Sequence, residues 1–469
     1  MVQKKKITFY LLSLVFAAVY AAAVGDAFAT EPPHEKFRIN ALPGLAQTID
    51  FNQYAGLLEV DPKNNGKIFF WLCEAQNSPE TAPLIIWFTG GAGCSSLGGL
   101  FLEIGPFRIQ QDSSFRINPY SWNQRANVLF VDQPAGVGFS KTDRNPPVAK
   151  GEELEQISGQ FYAFLQKFLT EFPEYRKRGV ILSGESFAGN YIPHYAAYIM
   201  NKNREGGEKV HLQGLVIGDG WVHPYYHYLS YPDYAFGLGL IDGVQRDELR
   251  KVVESNKDKI LAGELVDDVF GVLPTIRMTA GNGAVKVDTD DIRRYVTYDG
   301  MGAPGTPLEV PSLAQYLNWN PANDTLDLKD RFPQSVKEAL HAQESKNDWT
   351  FCNGPVIGSL QPVINAPTYK LLPGLLKEVP ILFYSGQYDM VVNHIGTRMM
   401  IDSIDWPGKD SYQKAKYKAW SYNNTPVGYT KSFSNLTFVM VLDVGHMGPY
   451  DEPARFQDMI NRFLTGKGF

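Results

Sequence analysis

The apolar run Val180-Ile181-Leu182 leads into Gly184-Glu185-Ser186-Phe187-Ala188-Gly189, and a helical pattern follows from about Ala188 to Asn201. A buried strand that turns sharply into a helix lifts the side chain at the turn clear of both elements. The small residues Gly184, Ala188 and Gly189 let the two backbones pass closely. Ser186 is therefore expected to be presented as a nucleophile rather than packed. Ala188 stands where the usual G-x-S-x-G pattern carries its second glycine, so the hexapeptide alone is only a partial signal.

Two later segments complete a constellation. Tyr384-Ser385-Gly386-Gln387-Tyr388-Asp389 follows the strand-like Ile381-Leu382-Phe383, and Asp443-Val444-Gly445-His446-Met447 follows Phe438 to Leu442. Asp389 and His446 thus fall just beyond the carboxyl ends of buried strands, where open α/β sheets place their sites. The chain order Ser, Asp, His is that of an α/β-hydrolase triad and differs from the orders of the chymotrypsin and subtilisin architectures.

The rest of the chain supports an α/β fold with a central, mostly parallel sheet flanked by helices. Strand-like runs at 53–60, 67–72 and 84–87 begin it, the first two joined by the turn Asp61-Pro62-Lys63-Asn64-Asn65-Gly66. Beyond Trp87, strand and helix patterns alternate, with a buried strand at 127–131 and a helix at 154–172, as βαβ units require. Residues 222–345 are rich in Tyr, Asp and Gly and lack a strong buried strand, although 247–256 reads as a helix. They are expected to form a lid-like insertion over the triad that shapes the pocket, with strands resuming near Val379. The expected organisation is a signal peptide over 1–29, core over 30–221, insertion over 222–345 and core again over 346–469.

The signal peptide is read from Lys4-Lys5-Lys6, the mostly apolar 7–24 and Ala27-Phe28-Ala29 before Thr30. It predicts entry into the secretory pathway with no membrane association after cleavage. An oxidising lumen permits one disulfide among the three cysteines. Cys94 with Cys352 is the favoured pair and Cys73, in an apolar strand, is read as a buried free thiol, although sequence leaves the pairing open. Sequons at Asn323, Asn423 and Asn435 agree with lumenal routing. A net charge of −6 with no basic run beyond the N-terminus argues against nucleic acid. His223 and His227 are four apart but lack a His-Glu-x-x-His pattern, and their proline- and tyrosine-rich surroundings read as a loop, so no metal is expected. His194 and His394 are read as structural.

With these residues placed, nearly all of the mature chain resembles the serine carboxypeptidases. The resemblance is carried by Leu42-Pro43-Gly44 with Tyr54-Ala55-Gly56, by 87–96 (WFTGGAGCSS), 118–123 (NPYSWN) and 132–140 (DQPAGVGFS), and by Gly184 to Gly189 and Gly445-His446-Met447. It implies peptide or protein substrates with a free C-terminus, no cofactor or metal, and a lysosomal, vacuolar or extracellular location. A homodimer is carried as a further option. It also implies roles. Ser186 attacks the scissile carbonyl, His446 moves the proton and Asp389 orients the imidazole. The backbone N–H groups of Gly91 and Phe187 are the expected oxyanion donors. Thr89, Gly90, Glu103 and Glu185 match the positions that hold the substrate carboxylate, the two acids doing so as neutral donors, which predicts an acidic optimum.

This chain departs from the family pattern at Thr89, where asparagine is usual, and at Ala92, where proline is usual; Asn190 and Gln387 are smaller departures. The hydroxyl of Thr89 is a shorter donor than an amide, which keeps acyl transfer or ester hydrolysis in the same fold as an alternative. A catalytically idle binding or protective homologue is the alternative from another class, and the intact triad counts against it.

Overall fold

The computed structural model describes residues 31–109, 114–206, 208–283, 286–296, 319–320, 325–326, 332–345 and 349–469. The signal-peptide segment 1–29 and the sequon at Asn323 lie outside the described residues.

Ten strands form one sheet: β1 (Gln53–Asp61), β2 (Gly66–Cys73), β3 (Leu84–Phe88), β4 (Asn127–Asp132), β5 (Val180–Glu185), β6 (Leu212–Gly218), β7 (Ile381–Gly386), β8 (Lys418–Tyr422), β9 (Thr425–Phe433) and β10 (Leu436–Val441). Their spatial order is β1-β2-β4-β3-β5-β6-β7-β10-β9-β8. The six strands from β4 to β10 in that order run parallel, and antiparallel pairs close each side. The predicted strands at 53–60, 67–72, 84–87 and 127–131 match β1 to β4 within a residue or two.

Alternation along the strands sends side chains to two cores, one on each face. Ile68, Phe70 and Leu72 of β2 join Leu84, Ile86 and Phe88 of β3 and Leu182 of β5 on one face. Phe69, Trp71 and Cys73 join Ile85, Trp87 and Ile181 on the other. The first face is covered by α1 (Glu153–Glu171) through Ile157, Phe161, Phe164 and Phe168, and by α2 (Ala188–Arg204) through Tyr191, Tyr195 and Ile199. Their apolar residues recur at helical spacing, so each helix lays one stripe on the sheet. Cys73 is free and buried, as expected.

Past β6 the chain enters α3 (Pro224–Gly237) and α4 (Gly243–Ser255). The first corrects the loop reading for His227, which lies inside α3, while His223 precedes the helix as its N-cap. Pro224 occupies the first turn, where its missing N–H costs nothing, and aromatic packing offsets the low helix propensity of the rest. The second begins four residues earlier than expected, because Asp242 accepts from Val244 N–H and Gln245 N–H in a capping box. After β7, α5 (His394–Ser403) is capped by Asn393, and α6 (Pro453–Thr465) covers the second core through Phe456, Met459 and Ile460. No helix among the described residues is long and apolar enough to cross a membrane.

Candidate active site

Five consecutive parallel strands deliver the glycine loop, Ser186, Asp219, Asp389 and His446 to one edge of the sheet. In spatial order β3 leads to Thr89, Gly90 and Gly91, β5 to Glu185 and Ser186, β6 to Asp219, β7 to Asp389 and β10 to His446. Parallel strands all point their carboxyl ends the same way, so loops far apart in sequence converge there.

Ser186 has φ 60°, a left-handed conformation that costs a non-glycine residue on the order of 1–3 kcal/mol. Three hydrogen bonds hold it. Its N–H donates to Gly218 O at 3.0 Å, and its carbonyl accepts from Trp221 N–H at 2.8 Å and Gly189 N–H at 2.9 Å. The glycine loop presses against this turn. A Cβ on Gly90 would lie 2.5 Å from Phe187 N and 2.6 Å from Ser186 Cβ, so no side chain fits there. The N–H groups of Gly90, Gly91 and Phe187 have no acceptor among the described residues. Three free donors around one serine make a place for negative charge.

Asp389 is fully buried and receives Val392 N–H at 3.2 Å on both oxygens, while Oδ2 lies 2.8 Å from His446 Nδ1. Burial opposes charging of His446, but Asp389, with help from Asp290 and Asp219, raises its pKa well above the usual imidazole value. The histidine loop is tied to the middle segment: His446 N–H donates to Asp290 O at 2.7 Å, and Arg293 donates to Asp443 O at 2.8 Å. Arg293 and Arg294 also pair with Asp451, whose Oδ2 accepts from Gly445 N–H at 2.7 Å.

Glu103 closes the wide π-helical turn Gly99–Glu103 after the glycine loop, and its carboxyl and that of Glu185 act on each other. Both are buried, and neither Glu103 oxygen nor Glu185 Oε2 finds a donor among the described residues. Burial raises Glu103 to about 7, against smaller lowering effects. Burial and the Glu103 charge raise Glu185 well above the ordinary carboxyl value. Two buried carboxyl groups that act on each other favour a state in which one of them keeps its proton. The Thr89 hydroxyl, nearly buried, accepts from Trp87 Nε1 at 3.1 Å, which leaves its own proton free to donate.

Cys94 and Cys352 are disulfide-bonded, the pairing favoured from sequence. Around that bond Ser95 N–H donates to Phe351 O at 2.6 Å and Asn353 N–H to Gly93 O at 3.0 Å, so the glycine loop is fastened to residues 351–353. Asp132 supports it from below: Oδ1 accepts from Ser95 Oγ at 2.6 Å and Ser96 N–H at 2.9 Å.

The four other histidines of interest are structural in their contacts. His223 stacks on Tyr369 at 3.7 Å and His227 on Trp221 at 5.0 Å, and burial lowers them to about 4 and about 3. Burial likewise holds His194 and His394 at about 4. One residue of the site escaped the sequence reading. Asp219 was legible only as the end of the apolar run 215–218, and nothing in that run announces its contact with Asp389.

A parallel sheet with a strand-turn-helix serine and an aspartate–histidine pair at its carboxyl edge defines an α/β-hydrolase. The sequence profile described as serine carboxypeptidase matches residues 43–466. The chain belongs to the serine carboxypeptidase family, and it is a hydrolase that acts on peptides from the C-terminus. It is 35% identical to the pheromone-processing carboxypeptidase KEX1 of Pyricularia oryzae, over 97% of this chain and 71% of that one. It is 33% identical to the protein of the same name from Fusarium vanettenii, over 97% of this chain and 73% of that one. The crystal structure of KEX1ΔP, a prohormone-processing carboxypeptidase from Saccharomyces cerevisiae, superposes with a TM-score of 0.78 at 27% identity, covering 92% of this chain and 96% of the other.

Proposed function

We propose that this carboxypeptidase works through an acyl-enzyme on Ser186, with His446 as general base and acid and Asp389 as the group that orients and charges-balances the imidazole. The free N–H groups of Phe187 and Gly91 receive the oxyanion, and the substrate carboxylate is held by Gly90 N–H, the Thr89 hydroxyl and the acids Glu103 and Glu185. The observation that carries this reading is the buried Glu103–Glu185 pair, which reaches the glycine loop on one side and the residue before Ser186 on the other. A hydrolase that did not read a C-terminal carboxylate has no evident use for two buried neutral acids there.

Protonation sets the working range. A neutral carboxyl donates to the substrate anion, whereas an ionised one repels it. Because burial holds Glu103 at about 7, recognition of a free C-terminus weakens as pH rises through that value. The enzyme is therefore most efficient in acid. The middle residues 222–345 act as the lid that shapes the pocket; Asp288, Asp290, Asp291 and Arg294 line a small pocket together with His446, which supports that role. The chain follows the secretory route to a lysosome-like, vacuolar or extracellular compartment. The disulfide supports this, as do sequons at Asn423, in the exposed turn between β8 and β9, and at Asn435. Substrates are peptides or proteins with a free C-terminus, and a homodimer stays within this reading.

The direct test compares, at pH 5, a blocked dipeptide with a free C-terminus and its amide, using wild type and Ser186→Ala. A Ser186-dependent preference for the free acid is expected. Ser186-dependent activity without that preference would favour ester hydrolysis or acyl transfer, and no activity on either would favour an idle homologue.

A further inference from the structure

Asp219 follows β6 directly, is fully buried and has φ 40°. Its N–H donates to Tyr384 O at 2.8 Å, and its Oδ1 accepts from Gly386 N–H at 2.8 Å. The residue is thus clamped between the ends of β6 and β7. Its other oxygen, Oδ2, has no donor among the described residues. Among the charges around it, Asp389 raises the pKa of this carboxyl most, and the oxygens of Asp389 already receive Val392 N–H and lie against His446 Nδ1. The ionisable groups that face Asp219 are Asp389 from the β7 end, His446 from the β10 end, Glu185 from β5, Tyr384 from β7 and Tyr234 from α3. Four of these are acids, and an ionised Asp219 would add a second negative charge to a dry site that already holds the Asp389 carboxylate.

We propose that Asp219 is a positioning residue for the triad: as a neutral acid it donates a hydrogen bond from Oδ2 to Asp389 and fixes that carboxylate against the His446 imidazole. The inference rests on the assignment of Ser186, His446 and Asp389 as the triad. Burial and the adjacent Asp389 both push the pKa of Asp219 well above the ordinary carboxyl value, which keeps the proton in place. The bond has two effects. It offers Asp389 a donor beside its other partners, and it leaves one negative charge rather than two beside His446. With less negative charge nearby the imidazole gives up its proton at lower pH, and a general base must be unprotonated to act. Loss of the Asp219 proton at alkaline pH replaces attraction by repulsion and releases Asp389.

The test uses a blocked amino-acid ethyl ester, which has no free carboxylate and so does not report on Glu103 and Glu185. Asp219→Asn keeps both contacts, since its Oδ1 accepts from Gly386 N–H and its Nδ2 donates to Asp389, but it cannot ionise. Its kcat should stay within about threefold of wild type while the alkaline limb of kcat moves up by about one pH unit or more. Asp219→Ala should lower kcat by about 10- to 100-fold with little change in KM. The inference is overturned if Asp219→Asn loses as much kcat as Asp219→Ala, if it fails to fold, or if its alkaline limb coincides with that of wild type. Should Asp219→Ala not fold, the pH profile of Asp219→Asn decides alone. Ester hydrolysis that survives Ser186→Ala would instead remove the triad assignment itself.

Discussion

Two pairs of buried acids flank Ser186, and they are built alike but placed differently. Glu103 and Glu185 act on each other beside the glycine loop, and Asp219 and Asp389 do so at the ends of β6 and β7. Both pairs lie out of water, where contact between two carboxyl groups forces one to keep its proton. In the first, both Glu103 oxygens and Glu185 Oε2 lack a donor among the described residues. The second has most of its capacity committed to Val392, Gly386 and His446. The same physical chemistry suits two proposed tasks: an uncommitted pair suits recognition of an incoming anion, and a committed pair suits the fixing of a catalytic side chain.

The largest effect that separates them comes from the committed side. Asp389→Asn should lower kcat about 10⁴-fold on peptide acid and ester alike, as loss of the orienting carboxylate does in other triads. Equal and small effects on both substrates would place Asp389 outside the triad. On the uncommitted side, Glu103→Ala should lower kcat/KM for a peptide with a free C-terminus by about 10- to 100-fold while leaving ester hydrolysis within a few-fold. A matching loss on the ester would mean that the two pairs are not functionally distinct.

Stability sharpens the comparison further. The folded state holds the Glu103 proton to about 7, above the ordinary value of 4.5, so its contribution is fully present below 4.5 and is lost as pH rises through 7. Glu103→Gln cannot ionise, so its unfolding free energy relative to wild type should grow by up to about 3 kcal/mol between those pH values and then level off. The buried histidines push the other way. His194, His223, His227 and His394 are held at about 4, 4, 3 and 4, so their contribution is lost as pH falls below 6.5. They cancel in the difference between the two proteins, which denaturant unfolding across pH 4 to 8 reads directly. A flat difference would remove the raised Glu103 pKa.

The disulfide belongs to one side only. It fastens the loop that carries Gly90 and Gly91, and not the strand ends that carry Asp219 and Asp389. Cys352→Ser should cost about 2–4 kcal/mol of stability. In the protein that remains folded it should raise KM for the free-acid peptide more than it lowers kcat on the ester. The reverse pattern would show that the glycine loop stays in place without the bond.

Much of this site is legible in the sequence. The apolar runs Val180–Leu182, Ile381–Phe383 and Phe438–Leu442 placed strands, and the segments just beyond them carry the proposed triad in its expected chain order. A strand signals itself through a few consecutive side chains, and a turn through the residues at its bend, so both are local and can be read along the chain. The helix over Pro224–Gly237 departs from that reading because its prolines and tyrosines favour loops, and the packing that overrides them comes from α4 and α5. Asp219 was overlooked for the same kind of reason, since 170 residues separate it from the Asp389 carboxyl it meets.

The amino-acid sequence by itself determined the alternation of strand and helix and the family, and it supplied the residues proposed as nucleophile, base and orienting acid. Only the tertiary structure decided which acids touch, which donors stay free and which carboxyls keep their protons. These depend on distance and on exclusion of water, and both arise where strands remote in sequence end side by side.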